Sequence, residues 1–262
     1  MHDILKDILV QKHKEAATLK SNCPKLCEKV RPRVCCQNKS LRYALKNEKI
    51  SVIAEIKRRS PTKGEMAAIE NPISLAREYI SGGANAISVL TDKKFFGGSL
   101  QDMTAVSILL KNIACPVLRK DFIVDKYQIY ESVVAGADAV LLIVSVLGGK
   151  TREFLEIAKD MNIEALVEVH TKAELEIAID SGVEIIGINN RDLNTFQVDI
   201  SRSLELVKLM PKNVLKVSES GVSSSDTAKK LKDAGFDAIL MGEALVCAQN
   251  PSTLIKKLKG NL

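Results

Sequence analysis

Ionisable side chains stand at the ends of several short apolar segments that have the character of buried β-strands. Glu55 and Lys57 end the first segment, Lys120 ends the third and Glu168 ends the fifth. Because successive strand residues point to opposite faces, Glu55 and Lys57 share one face. A lone buried charge is costly, so three strand ends would not carry charges into one place without a use for them. The pattern therefore predicts an active site that works by acid–base chemistry.

Four further polar residues near the same strand ends are predicted to be structural. Arg119, Asp121, His170 and Asp192 are expected either to form ion pairs inside the protein or to point into loops and solvent. Neither arrangement requires a part in the chemistry, and we leave them out of the predicted catalytic set.

The elements that position these residues are indicated by an internal repeat. A glycine-containing turn followed by an apolar run occurs at residues 82–90, 135–142, 181–188 and 234–241. Each copy follows an amphipathic stretch, so the glycine is expected to end a helix and the apolar run to form a buried strand. The copies start 53, 46 and 53 residues apart, which leaves room for two strand–helix units each.

Four copies therefore predict eight units closed into a single (β/α)₈ TIM barrel of the α/β class. A doubly wound open sheet is the alternative, but that fold gives no reason for a fourfold repeat. Between the repeats, apolar runs predict strands over 50–57, 116–120, 164–169 and 214–218. Periodic segments predict helices over 74–80, 100–110, 126–134, 151–161, 172–179, 201–209, 225–234 and 252–258.

The amino-terminal residues 1–48 are predicted to form a helix and a linker, and residues 49–262 the barrel, within one domain of residues 1–262. Apolar residues spaced along 3–20 predict an amphipathic helix lying on the barrel. Residues 23–40 contain two prolines and are predicted to be an irregular linker.

Small residues follow the last two predicted strands. Ser220 and Gly221 come directly after the seventh strand, and Gly242 ends the eighth. In many such barrels the loops after strands 7 and 8 bind the substrate phosphate through backbone N–H groups. Either motif alone is weak because glycine ends many loops, but both together predict a phosphate site.

The composition favours a cytoplasmic enzyme for an anionic small molecule. The net charge is +6, spread along the chain, and 4% aromatic residues with no Trp argue against nucleic-acid binding. No apolar run approaches the ~20 residues of a membrane span. The alternating charges of the first 20 residues are unlike a signal or transit peptide. We expect a monomer with neither a nucleic-acid nor a membrane partner.

Four of the six cysteines crowd the amino-terminal segment: Cys23, Cys27, Cys35 and Cys36. Zinc sites usually pair two Cys-x₂₋₄-Cys motifs, whereas the second half here is an adjacent pair with no nearby His. We therefore predict reduced thiols that bind no metal and form no obligatory disulfide.

The segment 53–61, with Glu55, Lys57, Ser60 and Pro61, is a highly specific motif. Through it the chain resembles the indole-3-glycerol-phosphate synthase family, and the resemblance extends over essentially the full length. The other matching segments occur in the right order, at 3–15, 88–99, 118–122, 166–170, 188–193 and 219–221. The amino-terminal cysteines fall outside the family's pattern.

The resemblance implies a carboxy-lyase of tryptophan biosynthesis that acts on 1-(2-carboxyphenylamino)-1-deoxyribulose 5-phosphate. The aromatic carbon bearing the carboxylate attacks the ribulose carbonyl, and loss of CO₂ and then of water gives the indole without a cofactor. Lys57 or Lys120 would supply the proton to the developing alkoxide, and Glu55 and Glu168 are placed to collect one. Which lysine acts in which step is left open by the sequence.

The resemblance also implies the remaining site residues. Asn189 and Glu219 would orient the substrate hydroxyls and the lysines, completing the catalytic set. Ser60, Phe96 and Arg191 would hold the anthranilate ring and its carboxylate, and the small residues after strands 7 and 8 the phosphate. No metal is implied. The segment 58–65 is predicted to be a mobile lid over the site.

Three alternatives remain open from the sequence. Phosphoribosylanthranilate isomerase uses a similar barrel but should show a Cys in the first strand and an Asp in the sixth, where this chain has Glu55–Lys57 and Asn189. A Schiff-base barrel is conceivable because Lys120 ends a strand. A non-catalytic, metal-responsive module would instead use the amino-terminal cysteines.

Overall fold

Eight parallel strands form a closed barrel in the computed structural model, which describes residues 3–34, 37–66, 68–192 and 195–260. Each strand pairs with its neighbours along the chain, and the first pairs with the eighth to close the ring. The predicted TIM-barrel fold is thereby confirmed. The strands are β1 Ser51–Ile56, β2 Ala86–Leu90, β3 Val117–Lys120, β4 Ala139–Ile143, β5 Glu164–Val169, β6 Ile185–Asn189, β7 Leu215–Glu219 and β8 Ala238–Met241.

Helices cover the outside of the barrel and occupy its two ends. Asp125 illustrates how they begin: its carboxylate accepts from Tyr127 N at 2.9 Å, while Gln128 Oε1 accepts from Asp125 N at 3.1 Å. The helices are α1 Asp3–Asn22, α2 Leu26–Lys29, α3 Leu41–Leu45, α4 Pro72–Ser81, α5 Lys93–Phe96, α6 Leu100–Leu109, α7 Lys126–Val134, α8 Val144–Leu147, α9 Thr151–Asp160, α10 Lys172–Asp180, α11 Ser201–Leu206, α12 Ser225–Asp233, α13 Glu243–Val246 and α14 Pro251–Leu258.

The repeated glycines adopt the conformation expected of them. Gly83, Gly136, Gly182 and Gly235 have φ values of +88°, +86°, +78° and +99°, and each follows a helix and precedes a barrel strand. A side chain is disfavoured in this left-handed region, which explains why glycine recurs there.

Apolar side chains fill the barrel in two layers. An outer layer packs between the strands and the surrounding helices. A smaller inner layer, which includes Ile53, Leu118, Leu166 and Val217, fills the barrel itself. Because side chains alternate along a strand, residues two positions beyond these point into the same interior, nearer the carboxyl ends of the strands. We call that end of the barrel the mouth.

The amino-terminal segment is more structured than predicted. The expected linker 23–40 contains α2 and a 3₁₀ turn, Gln37–Lys39. The short helix α3 was missed altogether; Ser40 caps it by accepting from Tyr43 N at 3.0 Å. Its Leu41 and Leu45 are fully buried and join the inner layer at the amino ends of the strands. We call these two residues the plug.

The predicted amino-terminal helix is confirmed as α1, and a buried lysine fastens it to the mouth. Lys12 is only 2% exposed, and its Nζ lies 2.8 Å from Asp92 Oδ2 and 2.9 Å from Asp121 Oδ1. The helix was predicted from its apolar face, and Lys12 was not identified as a buried anchor.

Cys23 and Cys27 carry free thiols, and Cys35 and Cys36 lie outside the described residues. Across residues 3–34, 37–66, 68–192 and 195–260, no group of three or more His, Cys, Asp or Glu side chains has the arrangement of a metal site. In the same ranges, no helix is long and apolar enough to span a membrane.

Candidate active site

A cavity of about 670 Å³ opens at the mouth of the barrel. The structure brings every predicted site residue to its wall. These residues are Glu55, Lys57, Ser60, Phe96, Lys120, Glu168, Asn189, Arg191, Glu219, Ser220, Gly221 and Gly242.

The ionisable groups stand on the inner faces of alternate strands, β1, β3, β5 and β7. Glu55, Glu168 and Glu219 each stand two residues beyond an apolar residue of the inner layer and are at most 4% exposed. Lys120 holds the equivalent position on β3, beyond Leu118. These side chains therefore form one charged layer directly next to the apolar inner layer, on its mouth side.

Lys120 stands between two carboxyl groups at the centre of this layer. Its Nζ lies 3.4 Å from Glu168 Oε2 and 3.9 Å from Glu219 Oε2. Burial alone would lower the pKa of Lys120, but Glu168, Glu219 and Glu55 outweigh burial and raise it. The amine is therefore an ammonium ion at neutral pH.

The two carboxyl groups beside Lys120 differ in their affinity for a proton. Burial favours a neutral Glu168, but Lys120, His170 and a hydrogen bond with Asn189 lower its pKa. Burial and the nearby Glu168 raise the pKa of Glu219 well above its usual range, and Lys120 only partly offsets them. Adjacent carboxylates resist ionising together, and within this pair Glu219 holds a proton more tightly than Glu168 does.

Lys57 and Glu55 form a second ion pair at the mouth. Lys57 Nζ lies 2.9 Å from Glu55 Oε1, and the lysine is the more exposed partner at 16%. Gly242 lies against both: a Cβ there would fall 2.3 Å from Glu55 Oε1 and 3.2 Å from Lys57 Nζ. The absence of a side chain at Gly242 keeps this corner of the cavity open.

Gly187 is a requirement of the site that was not predicted from the sequence. It stands on β6, where a Cβ would fall only 2.0 Å from Glu219 Oε1. The glycine makes room for the Glu219 carboxyl group inside the barrel. Strand alternation could have indicated this role, because Gly187 stands two residues before Asn189 and therefore on the same inner face.

Asn189 connects β6 to the loop after β7. Its Oδ1 accepts hydrogen bonds from Arg191 N at 3.0 Å and from Ser220 Oγ at 2.9 Å. Ser220 and Gly221 have successive φ values of +67° and +83°. Two left-handed residues in a row form a tight turn at the cavity wall.

Arg191 reaches an acidic residue, Glu243, that was not predicted from the sequence. Its Nη2 lies 3.6 Å from Glu243 Oε2, and its Nη1 donates to Phe196 O at 3.2 Å. Glu243 also pairs with Lys63. Lys63, Lys57 and Arg191 help to lower the pKa of Glu243. Three cationic side chains and the Glu243 carboxylate therefore lie together at the outer rim of the cavity.

An apolar wall faces the charged groups. The rings of Phe96 and Phe122 are 6.2 Å apart between centroids, and both line the cavity. Leu5 and Ile8 of α1 complete the wall. Phe96 was predicted from the sequence, whereas Phe122, which follows β3, was not. Leu5 and Ile8 were not predicted either, since only the docking of α1 brings them to the mouth.

Two of the four residues predicted to be structural lie in a buried ion network. Arg119 pairs with Asp121 at 3.3 Å and with Glu131 at 2.9 Å, and Asp121 also binds Lys12. Asp192 pairs at 3.2 Å with Arg202 near the surface. His170, in contrast, lies 3.4 Å from Glu168.

The segment predicted to be a lid forms a small antiparallel ribbon. Arg59–Ser60 pairs with Gly64–Glu65, and Ser60 and Pro61 line the cavity. Movement of this ribbon stays a prediction.

Comparison with known sequences assigns the chain to a protein family. The model of the family described as "Indole-3-glycerol phosphate synthase" matches residues 5–258. The chain belongs to this family. The indole-3-glycerol phosphate synthase of Thermoanaerobacter pseudethanolicus is 47% identical over 207 residues, which cover 79% of this chain and 78% of the relative. That of Carboxydothermus hydrogenoformans is 46% identical over 225 residues, 84% of each.

Solved structures with little sequence similarity share the barrel. The 3-hexulose-6-phosphate synthase of Salmonella typhimurium has a TM-score of 0.65 at 16% identity, covering 81% of this chain and 98% of that one. Thiamine phosphate pyrophosphorylase from Pyrococcus furiosus has a TM-score of 0.63 at 17% identity, covering 84% and 96%. At such identities the likeness concerns the fold alone.

Membership of the indole-3-glycerol phosphate synthase family confirms the predicted enzyme class, a decarboxylating carbon–carbon lyase of tryptophan biosynthesis. The isomerase and the metal-responsive module are not favoured. The individual roles of the residues remain proposals.

Proposed function

We propose that this chain closes the indole ring of 1-(2-carboxyphenylamino)-1-deoxyribulose 5-phosphate with Lys120 as the acid and Glu168 as the base. The observation that carries the proposal is the position of the Lys120 ammonium between the carboxyl groups of Glu168, whose pKa is lowered, and Glu219, whose pKa is raised. The reaction needs a proton donor and a proton acceptor close to the same reacting atoms, and Lys120 and Glu168 supply them.

Lys120 is suited to the first step, in which the carboxylate-bearing aromatic carbon attacks the ribulose carbonyl. Negative charge develops on the carbonyl oxygen, and an ammonium ion both stabilises it and donates the proton. The carboxyl groups that raise the pKa of Lys120 keep that proton in place before the substrate reacts. Lys57 is the second candidate acid, since it also lines the cavity.

Glu168 is suited to the loss of water after CO₂ has left. The hydroxyl formed in the first step takes a proton from the second lysine of the cavity, Lys57, and departs as water, while another proton leaves the ring system to an acceptor. Glu168, whose pKa is lowered, is suited to accept that proton, whereas Glu219, whose pKa is raised, is suited to donate a hydrogen bond to a substrate hydroxyl.

The rest of the cavity offers groups for the other parts of the substrate. The aromatic ring would pack on the wall of Phe96 and Phe122, and Arg191, which lines the same cavity, would bind the ring carboxylate. The phosphate fits the small residues at Ser220, Gly221 and Gly242, with Lys57 beside them. A monomeric, cytoplasmic enzyme is part of the proposal, and sedimentation equilibrium tests its oligomeric state.

The purified chain should form indole, followed by absorbance or fluorescence, when this substrate is added. Glu168→Gln should abolish most of the signal, while Glu176→Gln, an exposed residue of α10, should not. Isomerisation of phosphoribosylanthranilate without indole formation would overturn the proposal. So would covalent trapping of the substrate on Lys120 by borohydride.

A further inference from the structure

His170 lies just past the end of β5, two residues beyond Glu168, and is buried between two carboxylates. Its Nε2 lies 3.4 Å from Glu168 Oε1, and its Nδ1 lies 3.2 Å from Glu174 Oε2. It is not part of the cavity wall, so it does not reach the substrate directly. The other oxygen of Glu168, Oε2, is the one that faces Lys120.

Glu174 fixes the orientation of the imidazole ring. Its Oε2 accepts the backbone N–H of His170 at 2.7 Å as well as facing Nδ1. Glu174 is itself held in the first turn of α10, where its N–H donates to Thr171 Oγ1 at 3.2 Å. An imidazole nitrogen beside a carboxylate oxygen donates hydrogen to it, so the contact with Glu174 favours the tautomer with hydrogen on Nδ1.

A proton on Nδ1 constrains what lies between the ring and Glu168. In a neutral ring, Nε2 would then be an acceptor directed at a second acceptor, the Glu168 carboxylate. No hydrogen-bond partner for Nε2 is found within the described ranges. The imidazole nonetheless lowers the pKa of Glu168, so the contact at 3.4 Å is electrostatically favourable to the ionised carboxylate.

We propose that His170, held by Glu174, is a positioning residue that lies against Oε1 of Glu168 and thereby turns Oε2 toward Lys120 and the substrate. The proposal deepens the proposed indole-forming function and rests on Glu168 acting as the base. The imidazole transfers no proton in the reaction and only orients and electrostatically stabilises the ionised carboxylate. His170 was predicted to be structural, and its contact with Glu168 gives it this further role.

The charged groups around the pair determine how the reaction should respond to pH. Lys120 of β3, Glu219 of β7 and Glu174 of α10 face Glu168 or His170, while β4 and α8 carry no ionisable side chain. After burial, which opposes ionisation, Lys120 and His170 lower the pKa of Glu168. Loss of the imidazole should therefore raise this pKa and move the acidic limb of kcat/KM to higher pH.

Two substitutions separate orientation from the electrostatic effect of the imidazole. His170→Gln keeps a polar N–H group near the position of Nε2 without the imidazole, and His170→Leu removes both. We expect His170→Leu to lower kcat about tenfold, comparable to losing a group that orients a metal ligand, and His170→Gln to recover most of that loss. Both should shift the acidic limb upward. His13→Gln, on the exposed side of α1, is the matched control and should change neither.

The wild-type enzyme and Glu168→Gln separate the two proposals. If wild type forms no indole, or Glu168→Gln stays fully active, the proposed function fails. If both behave as proposed but His170→Leu and His170→Gln keep the wild-type acidic limb, only the role of His170 is wrong. Imidazole ¹⁵N NMR on folded wild type provides a reading independent of activity. It should find His170 Nδ1 protonated, and a neutral ring with hydrogen only on Nε2 would overturn the proposal.

Discussion

The two ends of the barrel are built from the same eight strands but serve different purposes. At the amino ends, the plug residues Leu41 and Leu45 are wholly buried against small and aliphatic side chains. At the mouth, the same inner faces carry Glu55, Lys120 and Glu168. Only a few residues along each strand separate the closely packed plug end of the barrel interior from the charged mouth.

This difference indicates where stability and activity arise. Apolar burial stabilises a fold by about 25 cal/mol per Å², whereas buried charges cost desolvation that their pairing only roughly returns. Substitutions in the plug should therefore affect unfolding, and substitutions in the mouth should affect turnover.

The largest effect is expected for Lys120→Met, which removes the central ammonium from the mouth. Loss of a general acid typically costs ~10²–10⁴-fold in rate, and kcat for indole formation should fall by that much. Lys172→Met, which removes an exposed lysine of α10, is the control and should leave kcat unchanged. A Lys120→Met enzyme that keeps near-normal kcat would remove Lys120 from the chemistry.

Next in size is Leu45→Ala in the plug. A buried leucine replaced by alanine loses ~2–5 kcal/mol of unfolding free energy because a cavity remains. Urea titration measures this loss, and kcat of the folded fraction should stay close to wild type. Leu45→Met, which conserves volume, should cost less than ~1.5 kcal/mol. Equal losses for the two variants would contradict a closely packed plug.

A smaller effect is expected for Gly242→Ala at the corner of the mouth. The added methyl group would fall 2.3 Å from Glu55 Oε1 and occupy space that we assign to the substrate phosphate. KM should rise about tenfold, a loss of roughly 1.4 kcal/mol in binding. Gly149→Ala is the control because a Cβ there meets nothing within 4 Å. An unchanged KM in Gly242→Ala would place the phosphate elsewhere.

The smallest effect is expected outside both ends of the barrel, at Cys23 and Cys27. Replacing both by serine should change the unfolding free energy by no more than about 0.5 kcal/mol, as for ordinary surface positions. Elemental analysis of the wild-type protein should find zinc far below one ion per chain. Stoichiometric zinc, or unfolding on addition of a chelator, would contradict the prediction of free thiols.

The mouth was more predictable from sequence than the plug because strand alternation is strictly local. Ile53 and Glu55 show on their own that an apolar interior leads to a charged end. Likewise, the recurring glycines indicated helix ends that the φ values bear out. The plug helix α3, in contrast, has only five residues and too short a pattern for its periodicity to be recognised.

Contacts between distant segments account for the rest. Lys12 resembles any lysine of an amphipathic helix until α1 docks against Asp92 and Asp121. Gly187 resembles an ordinary strand glycine until Glu219 occupies the space beside it. Both depend on how elements far apart in sequence approach each other, which no local pattern contains.

The most direct test of the division between mouth and plug is a single-turnover measurement on Glu168→Gln, with enzyme in excess over substrate. Indole absorbance then reports the loss of water that completes the indole in the bound state, and the affinity for product is measured on the same sample. We predict indole formation slower by at least ~10²-fold, with product affinity and unfolding free energy close to wild type. Indole formation at the wild-type rate in this variant, or a loss explained only by unfolding, would contradict the account.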